Sequence, residues 1–167
     1  MEATVPRTIS RDDGEQVPLG GLDIIFKITS DQTGGALAIC ETAVEPGRLI
    51  PAHLHDTEDE FTYVIDGRIG VLVGEEEFTA DVGCWVVKPR GIAHTLWNPG
   101  PDQARTIEII IPAGFENFFR EISEIFSADG PPDIERLTTT AARYHHHFRP
   151  GLEQPLMAKH NLRVIGT

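Results

Sequence analysis

Basic residues are scarce in this chain: 14 Lys and Arg stand against 26 Asp and Glu, a formal net charge of −12. Phosphate recognition needs clustered Lys and Arg, so nucleic acid is excluded as a partner. An anionic membrane surface is excluded on the same ground. Cysteine is rarer still, and Cys40 and Cys84 allow one disulfide at most, too few for a disulfide scaffold. No apolar run approaches the roughly 18 residues of a membrane span, and the opening MEATVPRTISRDDGEQ has no apolar stretch of the secretory type. A soluble cytoplasmic protein is therefore expected. A Gly-rich phosphate loop, G-x-S-x-G and C-x-x-C are also absent.

What the chain does have is 167 residues, the length of one domain, and enough of them to bury a core without staples. Its texture changes twice. Residues 1–21 are polar and carry the turn signals Asp12-Asp13-Gly14 and Gly20-Gly21. Residues 22–112 are short apolar runs broken by Gly, Pro and Asp: 22–29, 37–44, 61–65, 69–73, 85–87, 95–97 and 106–111. Asp66-Gly67 between two of these runs reads as a hairpin turn. About eight short strands with regular turns predict an all-β sandwich or barrel, and the long crossovers of a parallel sheet are missing.

Residues 113–167 change period. Phe115, Phe118, Phe119, Ile122, Ile125 and Phe126 recur at steps of three and four, which predicts a helix over about 114–126 with one apolar stripe. That stripe suits packing on the outside of the barrel, a lid over its mouth, or a dimer contact. A second helix is expected to begin near Pro132-Asp133 and run towards His145. His145-His146-His147 is read as structural or incidental, because consecutive helical residues point about 100° apart. His160 is taken as a surface residue, Glu75–Glu77 as a solvated turn, and Cys40 and Cys84 as small buried hydrophobes.

The chemistry-bearing residues lie in the middle part. His53 and His55 are separated by one residue in PAHLH, a spacing that puts both imidazoles on one strand face. Glu60 follows five residues later, and His94 comes much further on in PRGIAHTLWN. Three imidazoles and a carboxylate suit a divalent transition metal. By parity, Glu60, Thr62 and Val64 share one face, as do His94, Leu96 and Asn98.

These residues sit in a frame that resembles the cupins, small antiparallel jelly-roll barrels that hold a metal inside. The first cupin motif, G-x5-H-x-H-x4-E-x6-G, reads here Gly47, His53, His55, Glu60, Gly67. The second, G-x5-P-x-G-x2-H-x3-N, reads Gly83, Pro89, Gly91, His94, Asn98, after a short inter-motif stretch of residues 68–82. The four Gly and one Pro alone would match in about one placement per million at ordinary residue usage. The resemblance implies an antiparallel jelly-roll barrel over 22–112, preceded by the segment 1–21 and followed by a C-terminal helical extension over 113–167 packed on it. It implies one divalent transition metal, Fe(II), Mn(II), Ni(II), Co(II) or Zn(II), on His53, His55, Glu60 and His94. Glu60 would be ligand or catalytic base.

The helical extension GFENFFREI also resembles that of quercetinase-like single-domain cupins. The implied function is a metal-dependent oxygenase acting with O2 on a small aromatic or hydroxylated metabolite. Two alternatives stand beside it: a non-oxidative isomerase, cyclase or lyase that uses the metal as a Lewis acid, and a non-catalytic small-ligand-binding cupin. A homodimer is expected, with Phe115–Phe126 and the N-terminal segment as interface pieces.

Overall fold

Alternation of inward and outward side chains builds two sheets that face each other. The computed structural model describes residues 8–126 and 132–167; positions 1–7 of the polar opening segment lie outside the described residues. In chain order the first strands are β1 (Glu15–Pro18), β2 (Leu22–Ile28), β3 (Ala38–Val44), β4 (Arg48–Leu49), β5 (His53–His55) and β6 (Asp59–Asp66), with the single-turn α1 (Ser30–Thr33) between β2 and β3. There follow β7 (Arg68–Val73), β8 (Glu76–Asp81), β9 (Trp85–Lys88), β10 (His94–Trp97) and β11 (Ala104–Ile111). The C-terminal part holds α2 (Glu116–Phe126), α3 (Ile134–Arg143), β12 (His146–Phe148), α4 (Glu153–His160) and β13 (Arg163–Val164).

One sheet has the order β1-β2-β3-β11-β6-β9. In the other, β10 pairs with β7, β5 and β4; β7 pairs with β8, β5 with β12, and β4 with β13. All pairings are antiparallel except β13 with β4. This is the jelly roll that the strand pattern predicts, with helices after the last barrel strand.

The inner faces carry the core. Leu22, Ile24 and Phe26 of β2, Ala38, Cys40 and Val44 of β3, and Val64 of β6 pack against Ile69 and Val71 of β7 and Leu96 of β10. Each fully buried Val, Leu, Ile or Phe contributes about 1.5–3 kcal/mol by leaving water. A second cluster lies behind β10, where Trp97 and Leu49 meet Leu156 of α4 and Leu162. Trp97 fits there because β7 has no side chain at Gly70: a Cβ would stand 2.1 Å from the indole ring.

Several features depart from the sequence reading. Asp66-Gly67 is not a hairpin. β6 pairs with β11 and β9, and β7 with β8 and β10, so the chain changes sheets at this corner. Gly67 adopts φ +74°, and the Asp66 side chain accepts its N–H at 2.9 Å. A turn dipeptide specifies the backbone reversal, not the partner strand. The polar opening segment contributes an edge strand, β1, paired along β2. Glu76 and Glu77 begin β8, and Glu77 accepts from Lys159 and pairs with His160 of α4, each at 2.8 Å. Cys40 is buried, but Cys84 is exposed just before β9. The second helix does follow Pro132-Asp133, and the Asp133 carboxylate caps it by accepting from Arg136 N.

α2 turns its stripe inward. Phe115, Phe118, Ile122 and Ile125 belong to the barrel's own core, so α2 lies across the open end and not on the outer wall. Those side chains are buried within the chain itself.

Candidate metal centre

His53 and His55 are adjacent inward positions of β5, with Leu54 facing the other way. β10 runs antiparallel beside β5 and sets His94 directly opposite His53. The bend after β9 makes that register possible. Gly91 takes φ +74° there and donates its N–H to the His55 carbonyl at 2.7 Å, clipping the second motif onto the first. Glu60 comes from the facing sheet, at an inward position of β6. One ligand atom from each of His53, His55, Glu60 and His94 lies within 4.8 Å of the others. The structure thus brings all four expected residues together.

The ring nitrogens are oriented by the backbone. His53 Nδ1 donates to the Pro51 carbonyl at 2.6 Å, and His94 Nδ1 to the Ile92 carbonyl at 3.0 Å. A carbonyl can only accept, so each Nδ1 carries a proton; in His53 this leaves the lone pair on Nε2, the form a metal takes. His94 Nε2 is 3.2 Å from Glu60 Oε2, and His55 Nε2 is 3.5 Å from Glu60 Oε1. His55 has no hydrogen-bond partner on either nitrogen although it is fully buried. An orphaned buried imidazole next to a carboxylate is what a cation would satisfy, so the residues present fit a divalent metal.

Protonation states agree with that fit. Burial lowers His53 well below the usual imidazole range and brings His55 down to about 4. Both rings are neutral at pH 7, as metal ligands must be. Burial alone would raise Glu60, but the Lys88 ammonium beside it holds its carboxyl well below the ordinary value.

Lys88 and Glu108 are the residues that sequence reasoning missed. Lys88 Nζ lies 2.9 Å from Glu60 Oε2 and 2.9 Å from Glu108 Oε2. Glu108 also accepts from Thr62 Oγ1 at 2.8 Å. Burial opposes the charge on Lys88, but Glu108 and then Glu60 outweigh it and raise the ammonium above its usual value. The signal was present in the alternation: Lys88 follows Val86 on the inward face of β9, and Glu108 lies between Thr106 and Ile110 on that of β11.

Glu58 is 8% exposed, and its Oε2 lies 3.6 Å from His55 Nδ1. Asn98 is buried, as parity requires, but serves the loop: its Nδ2 donates to the carbonyls of Val44 and Asp102, each at 2.8 Å.

The tract at 145–147 is not on a helix. His146 and His147 lie on β12, which pairs with β5 and sets His146 opposite His55. The His146 ring stacks on His53 at 4.5 Å and on Phe118 at 4.8 Å. His147 turns outward and pairs with Asp56 at 2.7 Å. His53, His94, His146 and Glu60 line a cavity together with Phe115, Phe118, Phe119 and Phe126. Phe115 meets the His55 ring edge-on at 4.3 Å.

Residues 40–110 match the family described as Cupin domain, a span that contains all four clustered residues. Residues 40–110 form a cupin domain. A curated relative, "Polyketide synthase CurC" of Streptomyces cyaneus, is 26% identical over 113 residues, covering 67% of this cupin and 73% of the relative. Among solved structures, KdgF from Halomonas sp. superposes with a TM-score of 0.60 at 17% identity, covering 68% of this chain and 99% of that one. A Bacillus subtilis oxalate decarboxylase described for its Mn(II) centres superposes with a TM-score of 0.55 at 21% identity, over 60% of this cupin and 28% of that protein. At these identities the solved structures establish the fold alone. No helix among the described residues is long and apolar enough to cross a membrane.

Proposed function

We propose that this cupin binds one divalent transition metal, Fe(II), Mn(II), Ni(II), Co(II) or Zn(II), on His53, His55, Glu60 and His94, and acts as an oxygenase on a small aromatic or hydroxylated metabolite. The observation that carries the reading is the donor cluster itself: three imidazoles and one carboxylate, converging within 4.8 Å at the polar end of an otherwise apolar cavity. With five- or six-coordination, four protein donors leave one or two positions open to a substrate, as a catalytic site requires. A bound metal would supply Lewis acidity and, for Fe or Mn, one-electron chemistry with O2.

The chain's own residues do the rest. The phenylalanines of α2 bind a planar apolar ligand by contact and keep water from the donors. Glu60 accepts a proton at Oε1 or Oε2, and Lys88 keeps it ionised until it does so. The name of the curated relative agrees with a substrate of polyketide type.

A non-oxidative isomerase, cyclase or lyase reading is supported by the Lys88–Glu60–Glu108 network. Its proton-holding groups beside the donors suit enolisation without oxygen. An oxygen electrode separates the two. Metal-loaded protein is given a panel of phenols and catechols. Substrate loss matched by O2 uptake supports the oxygenase; loss at the same rate under argon transfers the site to the second reading. No turnover, with metal and ligand both bound, favours a small-ligand-binding cupin.

The homodimer fits the outer face of the β1–β9 sheet, where Trp85 and Val87 are each 56% exposed and Tyr63 stacks against Trp85. The cysteines are unpaired, which suits a reducing compartment such as the cytoplasm.

A further inference from the structure

His146 stands outside the four-donor cluster, outside both motifs and on the C-terminal extension, yet it is 5% exposed and lines the same cavity. Its ring is fixed on two sides, stacked on His53 and on Phe118. Neither Nδ1 nor Nε2 has a hydrogen-bond partner. A neutral imidazole carries one N–H and one lone pair, and burying both unmet is costly. The metal set accounts for the orphaned nitrogen of His55 that faces Glu60, but not for those of His146.

We infer that His146 is a substrate-recognition residue: it hydrogen-bonds a second heteroatom of the small molecule whose first oxygen is taken by the metal. The ligand class that follows is a planar ring with two neighbouring oxygens, a catechol or an enolised dicarbonyl. Its ring would lie against the phenylalanines of α2 and its oxygens would point at the metal and at His146. Phe148 and Phe118 hold the imidazole edge-on and face-on, respectively, so it is presented in one orientation. This inference rests on the metal reading above and adds the substrate class and the residue that selects it.

The test uses Co(II)-loaded protein, with metal content, the Co(II) visible spectrum and ligand affinity as readouts, and two chromogenic probes. 4-Nitrocatechol has the second oxygen and 4-nitrophenol lacks it. In H146F the ring stack is kept and the hydrogen bond is lost. We expect one equivalent of Co(II) still bound, at least tenfold weaker binding of 4-nitrocatechol, and less than a threefold change for 4-nitrophenol. H146Q, which restores a donor and an acceptor, should recover most of the lost affinity.

Equal weakening of both probes in H146F and H146Q overturns the proposal and leaves His146 a packing residue. Unchanged 4-nitrocatechol affinity in folded H146F overturns it too. Loss of Co(II) from both variants makes His146 a ligand, which also overturns it. Wild-type protein that binds no Co(II) sinks the metal reading and this inference with it, an outcome recognisable before any probe is added.

Discussion

Replacing Lys88 by Met tests the electrostatics of the interior. The ammonium lies between Glu60 and Glu108, 2.9 Å from an oxygen of each, with all three side chains buried. Removing it leaves two carboxylates in a poor dielectric with no cation between them. Breaking a buried pair in this way costs about 3–5 kcal/mol. For a chain of this size each kcal/mol moves Tm by about 2–4 °C, so metal-free K88M should melt about 6–20 °C below metal-free wild type at pH 7.5.

The deficit should depend on pH in a definite sense. Without Lys88, Glu60 rises above the unfolded value of about 4.3, and Glu108, already raised by burial, rises further. Groups raised in the folded state contribute their stability at low pH and lose it as pH rises, so the gap to wild type should narrow towards pH 4.5. Added metal should separate the two carboxylates. A cation beside Glu60 takes over the lost charge there, so saturating Co(II) or Mn(II) should raise the Tm of K88M by more than that of wild type. The assay is differential scanning calorimetry of both proteins, with and without metal, at three pH values. A metal-free Tm loss under about 2 °C, or a smaller metal increment in K88M than in wild type, would refute the reasoning.

Other predictions follow from single features. Gly70→Ala drives a Cβ into the Trp97 ring, an overpacking that costs about 1–3 kcal/mol; chemical denaturation should show it, and an unchanged midpoint contradicts the packing given above. The metal-free protein should lose stability as pH falls below about 6.5. His53, His55 and His146 are all held below their ordinary value by burial, to about 4 for His55 and about 2 for His146. Unfolding therefore takes up protons in that window, with a slope of at most about 4 kcal/mol per pH unit for three groups; a flat Tm between pH 6.5 and 5 runs against it. Trp85→Lys should convert a dimer of the 18.4 kDa chain into monomer on light scattering; a mutant of unchanged mass removes the outer face of the β1–β9 sheet as the contact.

The motifs made most of the barrel and the four-donor cluster legible from the residues alone. The two-residue spacing of His53 and His55 places them on one strand face wherever that strand pairs, and Gly91 is needed wherever the second motif bends. Period-two alternation shows which side chains share a face but not which strands are neighbours, so the corner at Gly67 read as a hairpin. Lys88 and Glu108 were hidden for a different reason. Each looks like a surface charge until it is seen that both sit on inward positions and neutralise one another. His146 depended on tertiary structure altogether: it meets His55 across 91 positions of chain, through a short strand that packing against β5 creates and no local pattern announces. Cys84 failed because a run of strand-like residues does not fix where the strand begins.

Metal stoichiometry tests the central claim most directly. Untagged wild-type protein and the variants His53→Ala and His94→Ala are compared by elemental analysis after loading with Mn(II) or Co(II) and exhaustive removal of free ion, with circular dichroism to confirm the fold. The account predicts about one equivalent per wild-type chain and nearly none in either variant, since each removes a donor from a cluster of four. Full occupancy in a folded His53→Ala or His94→Ala protein, or none in wild type, contradicts it.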